Sequence, residues 1–598
     1  MASLSHYDDL TLSFLKKDIF RYSLSKFTSD LSAAFSVALL ALPQAMAYAL
    51  LAGLPLSCGL FAAIYPAAIA ALCGSSHHLV VGPSNATAIL VQAGTSTILY
   101  NHYRELVGDE RSIVAVQILT LLLLVSGSIQ VLAAIFRLGR LTQFISHSVI
   151  VGYLAGTIVA VIVNQSFVFL GVPRLGGVHS FYDRAAYLLS HLSEINWPTA
   201  SVGLGSFILL LTLRRIDRRI PAAVITFTIA ASVVYIYKSL TIVEGTTLGF
   251  PLHEVLVLGE TSELTTIFPS FAFPYFNMSI MSSLLPISFA VALLSTMETT
   301  SVAKTIAARS GQQLSINQEI LAVGLANLFA PFIAAMPVSG SPSRSNLNYR
   351  CGAQTRFAAF FSAGIVFLTL WMLDSFIALI PLPSMAAMLF ITSVAIVDKK
   401  HLLLCFKSTQ SDAFVLLVTF FSCIFFSLDL AFYAGISLSI ILYLKKAAVP
   451  HLVECAIEEN GKLRNLDSAQ IRQHRPIRVI KVEGELFFGA ADLFQTALKA
   501  IAKDDSTTRI LILQLKDARD IDATACLALG QLNDYLCSTG RYLIGCGLTY
   551  QTWDVLSSSG IAKNIGKENL FLFDEQMPHR HMQRALARAK ELVAVALA

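Results

Sequence analysis

Arg344 stands between Ser343 and Ser345 in a stretch, Pro337 to Ser345, that interrupts apolar sequence with prolines, a glycine and serines. A guanidinium keeps its charge under physiological conditions and offers planar, paired donors to an oxyanion. A second interruption, Gly82-Pro83-Ser84-Asn85-Ala86-Thr87, lies in the N-terminal half. Its Ser84 and Asn85 side chains and the amides of Asn85, Ala86 and Thr87 are neutral donors, while Gly82 and Pro83 suit a tight approach and a helix start. Gln44 and Tyr48, four apart in LPQAMAYALLAGLP, fall on one helical face. Glu298, in LLSTMETTSVAK, is a carboxylate inside an apolar run. Placing an acid there costs on the order of 2.5–3.5 kcal/mol even on a lenient insertion scale, which marks it as a candidate proton carrier. These residue types bind and move a small anion; they do not break bonds.

Each candidate competes with a plainer reading. Tyr48 fits an interfacial aromatic and Gln44 an interhelical hydrogen-bonder. Glu298 fits a buried ion pair or a residue at a helix end, since Lys304 follows six residues later. Arg344 fits a side chain that snorkels to the surface, as is expected of Arg350 and Arg356. Pro337, Gly340 and Pro342 weigh against snorkelling for Arg344, because they start its helix near the membrane centre. The first break alone reads as a capped kink; its likeness to the second gives it weight.

The elements that position these groups follow from the physics of lipid. Every backbone N–H and C=O in a bilayer needs a partner, so a spanning helix stops midway only beside protein or a water-filled cavity. Each break is the third element of its half of the hydrophobic region, as an inverted-repeat carrier would place it. Two half-helix N-termini then face one another and favour an anion.

The 598-residue chain is 55% hydrophobic and 14% charged, with mean hydropathy +0.66, far above a soluble domain. About fourteen spans are expected. The first seven are 31–51, 56–73, 79–99, 113–136, 144–164, 200–213 and 221–237; the second seven are 279–302, 319–335, 338–348, 357–380, 385–397, 413–427 and 431–444. Basic loops (Arg137 and Arg140; Arg214, Arg215, Arg218 and Arg219; Lys399, Lys400 and Lys407) lie on one side. Acidic loops (Glu105, Asp109 and Glu110; Glu244, Glu254, Glu260 and Glu263) lie on the other. The positive-inside rule then puts both termini in the cytoplasm and the protein in the inner (plasma) membrane. The N-terminal stretch holds Lys16, Lys17, Arg21 and Lys26 but no cleavable signal pattern.

The expected domains are a cytosolic N-terminal segment (1–28), a transmembrane transport domain (29–448), a linker (449–475) and a cytosolic α/β domain with a C-terminal helix (476–598). The tail alternates strand and helix signals: strands at 477–488, 509–515, 541–548 and 570–573, helices at 490–502, 524–539, up to 559 and from 576, with a loop over 516–523. No phosphate loop and no nucleophile–base set occurs in it, so an enzyme is not expected. Nine cysteines without CxxC or CxxH pairs read as small buried hydrophobes, so neither a metal site, a cofactor nor a disulfide framework is expected. A net charge of +5, dispersed along the chain, gives no nucleic-acid partner.

At LPQAMAYALLAGLP, VVGPSNATAIL, METTSVAKTIA, INQEILAVGLANLFAPF and SGSPSRSNLNYRCGAQT the sequence resembles the sulfate permease (SulP) family, and the tail resembles the STAS domain. The resemblance runs from Leu31 to the end of the chain. It implies fourteen spans as two inverted repeats of seven, a core and a gate domain, a homodimer, and an elevator motion of core against gate. It places the anion between the third and tenth spans, with Gln44, Tyr48, Ala86 and its neighbours, Ser343 and Arg344 at the site and Glu298 at the proton-coupling position. In the tail, Ala523 stands where anti-sigma antagonists carry a phosphorylatable serine, leaving Thr524 as a substitute.

The principal expectation is proton-coupled sulfate uptake, the substrate and the proton being the small-molecule partners and lipid the surroundings. Bicarbonate or dicarboxylate carriage, sodium- or proton-driven, or anion exchange, is the alternative; a channel and a membrane-tethered sensor with a cytosolic partner of the tail are further ones.

Overall fold

The computed structural model describes residues 20–597 apart from 21, 104–108, 140–144, 174–180, 218–220, 245–254, 262–268, 270, 272, 274–277, 397–398, 458–461, 467–474 and 505–506. Lys16, Lys17, Arg21, Glu105, Arg140, Arg218, Arg219, Glu254 and Glu263, invoked above for charge bias, lie outside the described residues. Two compact units divide the chain, Met1–Ser439 and Ile440–Ala598.

In the first half of the helical unit come α1 (Leu24–Ala52), α2 (Leu56–Cys73), β1 (Val81–Pro83), α3 (Asn85–His102), α4 (Asp109–Ile135), α5 (His147–Leu170), α6 (Phe181–Ser190), α7 (Trp197–Ile216) and α8 (Ala222–Glu244). The second half holds α9 (Met281–Ser310), α10 (Ile316–Phe329), β2 (Val338–Gly340), α11 (Pro342–Arg350), α12 (Phe357–Ile377), α13 (Leu382–Ile396), α14 (Lys399–Ser408), α15 (Gln410–Phe425) and α16 (Leu428–Ala447). Each expected span overlaps a helix, although 79–99 and 338–348 begin on extended chain that includes β1 and β2; nine of the described helices are long and apolar enough to cross a membrane. Two ten-residue helices of the helical unit were not expected, α6 and α14. Both are short and half polar, so their charges read as loop.

Helices at matching places in the two halves exchange partners. α2 packs on α12 as α10 packs on α4; α1 packs on α12 as α9 packs on α4. α5 meets α15 as α13 meets α7. Close crossings use small residues: a Cβ added at Gly59 of α2 would collide with the Ala45 carbonyl oxygen of α1.

In the second unit six strands lie in the order β4 (Leu463–Asn465), β3 (His451–Ile457), β5 (Ile477–Glu485), β6 (Ile510–Arg519), β7 (Tyr542–Leu548) and β8 (Leu570–Leu572). β5 to β8 are parallel and β3 is antiparallel to its neighbours. The stretch expected as a linker therefore contributes two strands to the sheet. β4 is three residues long and mostly exposed, and β3 is mostly half-buried with Cys455 alone fully buried, because an edge hairpin need bury little. β6 also runs four residues past its expected end, to Arg519.

Alternation along β6 serves both faces. Leu511 and Leu513 meet α17 (Phe488–Asp504) and α18 (Ala523–Ser538) through Phe494, Leu498, Leu529 and Leu532. Ile510 and Ile512 meet the last helix, α19 (Arg580–Leu597), at Met582, Ala585 and Ala589. Asp522 caps α18 by accepting from the Ala525 amide at 2.8 Å, and its other oxygen accepts from the Phe488 amide at 2.7 Å. One carboxylate so fixes two helix starts; Ala523 and Thr524 beside it are exposed.

Candidate functional site: two broken spans and a shared acid

Proline and glycine stop each third element short of a full span, and serine restarts it. Ser84 caps α3, accepting from the Thr87 amide at 3.3 Å, and Ser341 caps α11, accepting from the Arg344 amide at 3.5 Å. Before each cap the chain is extended, and the two extended pieces pair antiparallel: Val81 with Gly340, Gly82 with Ser339, Pro83 with Val338. This short ladder satisfies backbone groups that a broken helix would leave bare. It also sets the two helix starts side by side. With Thr87 taken by its cap, the amides of Asn85 and Ala86 remain for a ligand at α3, and that of Ser343 at α11.

Arg344 is 1% exposed. Its Nη2 donates to the Pro83 carbonyl at 2.7 Å, so the cation of the second break is seated on the first. A Cβ at Gly82 would lie 2.7 Å from Nη1 and 3.0 Å from Nη2, so any side chain there pushes the guanidinium aside. Nε has no hydrogen-bond partner among the described residues. The expectation that Arg344 stays inside, rather than snorkelling, is met by this burial.

Glu298, half-buried on α9, joins both breaks. Its Oε2 accepts from the Ser84 hydroxyl at 2.9 Å and from the Ser339 hydroxyl at 2.5 Å. The first cap and the second extended triplet are thus tied to one acid. Behind β2, Asn327 accepts from the Val338 amide at 2.8 Å and donates to the Val338 carbonyl at 3.1 Å and to Gln130 at 2.9 Å. Gln130 donates in turn to Ser295, which donates to the Val338 carbonyl. That network holds the second break rigidly against α4 and α9.

Gln44 and Tyr48 are buried on α1, which packs against α2, α3, α11 and α12. Tyr48 lies within the electrostatic reach of Arg344 and Glu298. Gln44 Oε1 and Asn85 Oδ1 are buried without partners among the described residues, whereas Asn85 Nδ2 donates to Ser393 of α13 at 3.3 Å. Ala86 is buried in the first turn of α3. Ser343 is exposed, its hydroxyl 3.3 Å from that of Ser341.

Sequence reading missed Ser339, Gln130 and Asn327. Ser339 and Asn327 sit in motifs quoted above, but neither has an apolar periodicity to mark it. Beside half-buried Glu298, the helical unit has fully buried acids in Asp30 (0% exposed) and Glu319 (2%). One expectation is corrected. Arg356 does not snorkel: it is 2% exposed and donates to the Gly74 carbonyl, whereas Arg350 is exposed as expected. Among the described residues no cluster of three or more His, Cys, Asp or Glu could hold a metal ion.

Comparison with known proteins is consistent over most of the chain. The family model described as "Sulfate permease family" matches residues 27–419, and that of the STAS domain matches residues 468–574. Sulfate transporter 4.1, chloroplastic, of Arabidopsis thaliana is 25% identical over 561 residues, covering 91% of this chain and 79% of its own. Sulfate transporter 1.2 of the same plant is 23% identical over 576 residues, covering 92% and 84%. The fold is that of the murine Solute Carrier 26 family member A9 anion transporter, solved in its inward-facing state (TM-score 0.84, 18% identity, 96% and 94% covered). It is shared with the transmembrane domain of a cyanobacterial bicarbonate transporter (TM-score 0.58, 16% identity, 69% and 98% covered).

Proposed function

This chain belongs to the sulfate permease family of anion transporters, and from that premise we propose that it carries sulfate inward together with a proton. The observation that carries the reading is the meeting of both breaks at one cation and one acid: Arg344 on the Pro83 carbonyl, Glu298 on Ser84 and Ser339. The anion sits against Arg344, the Ser343 hydroxyl and the free amides of α3 and α11, with Gln44 and Tyr48 closing the α1 side. Desolvated charge is costly, so the site must stay near neutrality through the cycle. Empty, the guanidinium and the carboxylate offset each other. A dianion disturbs that balance, and a proton on Glu298 restores half of the disturbance. The same proton takes the place of a hydrogen bond to one of the two serines.

Alternating access follows as an elevator. α1 to α4 with α9 to α12 form the moving core, and α5 to α8 with α13 to α16 form the gate; the exchanged packing of the two halves supports this division. The Asn85–Ser393 hydrogen bond is a contact such motion breaks and remakes. A homodimer, cytoplasmic termini, an inner-membrane location and a cytosolic regulator of the tail belong to the same proposal. Labelled-sulfate flux into proteoliposomes, with and without an inward proton gradient, tests it. Uptake indifferent to the gradient rejects coupling while leaving transport; no uptake rejects both.

Bicarbonate is the second reading. Arginine and helix amides do not rank a carboxylate-like oxyanion below sulfate, and the cyanobacterial neighbour is named for it. Competition of bicarbonate and dicarboxylates against labelled sulfate, with sodium replaced, separates the two.

A further inference from the structure

The chain between α2 and β1 runs without regular structure from Gly74 to Val80, and its backbone is held by side chains of the other half. Gln318 donates to the Cys73 carbonyl at 2.5 Å, and Arg356 donates to that of Gly74. Glu319 Oε1 accepts from the Ser75 amide at 2.6 Å, the Ser75 hydroxyl at 2.6 Å and the Ser76 amide at 2.7 Å. Gln312 takes the Ser75 carbonyl and the His77 amide, Asn348 the His78 carbonyl, and Ser345 the Val80 amide. A Cβ at Gly74 would lie 3.1 Å from Glu319 Oε2, so this glycine lets the acid reach the backbone.

The arrangement is reciprocal. Asp30 of α1, 0% exposed, accepts from the Gln354 amide at 2.7 Å, the Thr355 amide at 3.1 Å and the Thr355 hydroxyl at 2.5 Å. Each half therefore spends one buried carboxylate on the amides of the other half's connector, and Arg356, next to Thr355, returns to the first connector at Gly74. Buried ions of this kind are retained only where they are well bonded, and two of these three bind main chain that leads directly to a break.

We propose that Glu319 and Arg356 are positioning residues for the anion site: they set the place of the first break, and hence of the α3 amides, relative to Arg344. The claim rests on the transport reading above for its link to sulfate but not for its structural content. Removing the Glu319 charge loosens the connector, lets β1 drift in its pairing with β2, and spreads the donors that must converge on the anion.

The test uses the full-length protein. Glu319→Gln should raise the half-saturating sulfate concentration about tenfold, the scale of one weakened charge-assisted hydrogen bond, with turnover within about twofold of wild type. Hydrogen exchange of the purified protein should quicken about tenfold at the amides of Gly82, in the ladder, and Thr87, under the Ser84 cap, as well as at Ser75 and Ser76. Faster exchange confined to Ser75 and Ser76, or an unchanged half-saturation, overturns the proposal. Should Glu319→Gln fail to fold, Ser75→Ala deletes one of the three bonds and should give the same pattern at about threefold. If the wild type moves no sulfate, the transport reading falls, and the exchange pattern alone decides whether Glu319 positions the break.

Discussion

The first break opens an 18-residue helix, α3, with no charge in its first turn, and the second opens a nine-residue helix, α11, carrying Arg344. Both are capped by serine, both follow an extended triplet, and the triplets pair. Their roles differ nonetheless. The first break supplies a seat: a carbonyl at Pro83, bare space at Gly82 and amides at Asn85 and Ala86. The second supplies the charge that sits in it. In the proposed anion site neither suffices alone, and the acid that bonds to both, Glu298, belongs to a third element. Symmetry of backbone with asymmetry of side chains lets one ladder hold a cation and a titratable group within the same few residues.

The sharpest way to break this division is to remove the charge. Arg344→Ala should lower sulfate uptake by more than about a hundredfold, the scale of truncating one partner of a buried charged pair, while the protein still elutes as a folded species. Uptake at the wild-type level would place the cation elsewhere. Filling the seat comes next. Gly82→Ala should cost about tenfold to a hundredfold in sulfate affinity, because the guanidinium must leave the Pro83 carbonyl; Ser339→Ala, at the paired position, should cost less. Equal losses would dissolve the distinction between seat and charge.

Glu298→Gln should change sulfate binding by less than about tenfold but remove the dependence of uptake on the proton gradient. A wild-type pH profile in that variant would move the proton site. The smallest effects are expected at the caps. Ser84→Ala and Ser341→Ala should each lower thermal stability by about 0.5–2 kcal/mol. Ser84→Ala should be the larger, since it also strips a donor from Glu298. A larger loss at Ser341 would mean that the second break, not the first, bears the carboxylate.

Local punctuation made the breaks legible. Gly82, Pro83, Pro337 and Gly340 disfavour a helix, and Ser84 and Ser341, the latter with Pro342 behind it, restart one, so a one-dimensional reading finds both. Arg344 and Glu298 stood out for their cost in lipid. What stayed hidden was who holds whom across the fold. Ser339 looks like one serine among several until it is found on Glu298. Glu319 heads a helix, where an acid is ordinary, and Arg356 follows a polar loop, where exposure is ordinary. Their burial depends on partners 244 and 282 positions away, at Ser75 and Gly74. In the tail the same blindness concealed β3 and β4, which are strands by their pairing with each other and with β5.

The three-residue ladder between β1 and β2 has one further result. Strand neighbours point to opposite faces, so a slip by a single position would bring Val81 or Pro83 to the place of Gly82 and drive an aliphatic group into the guanidinium. The two triplets are keyed like a lock with one tooth missing. Whatever displacement carries cargo across the barrier, these strands must travel as one piece.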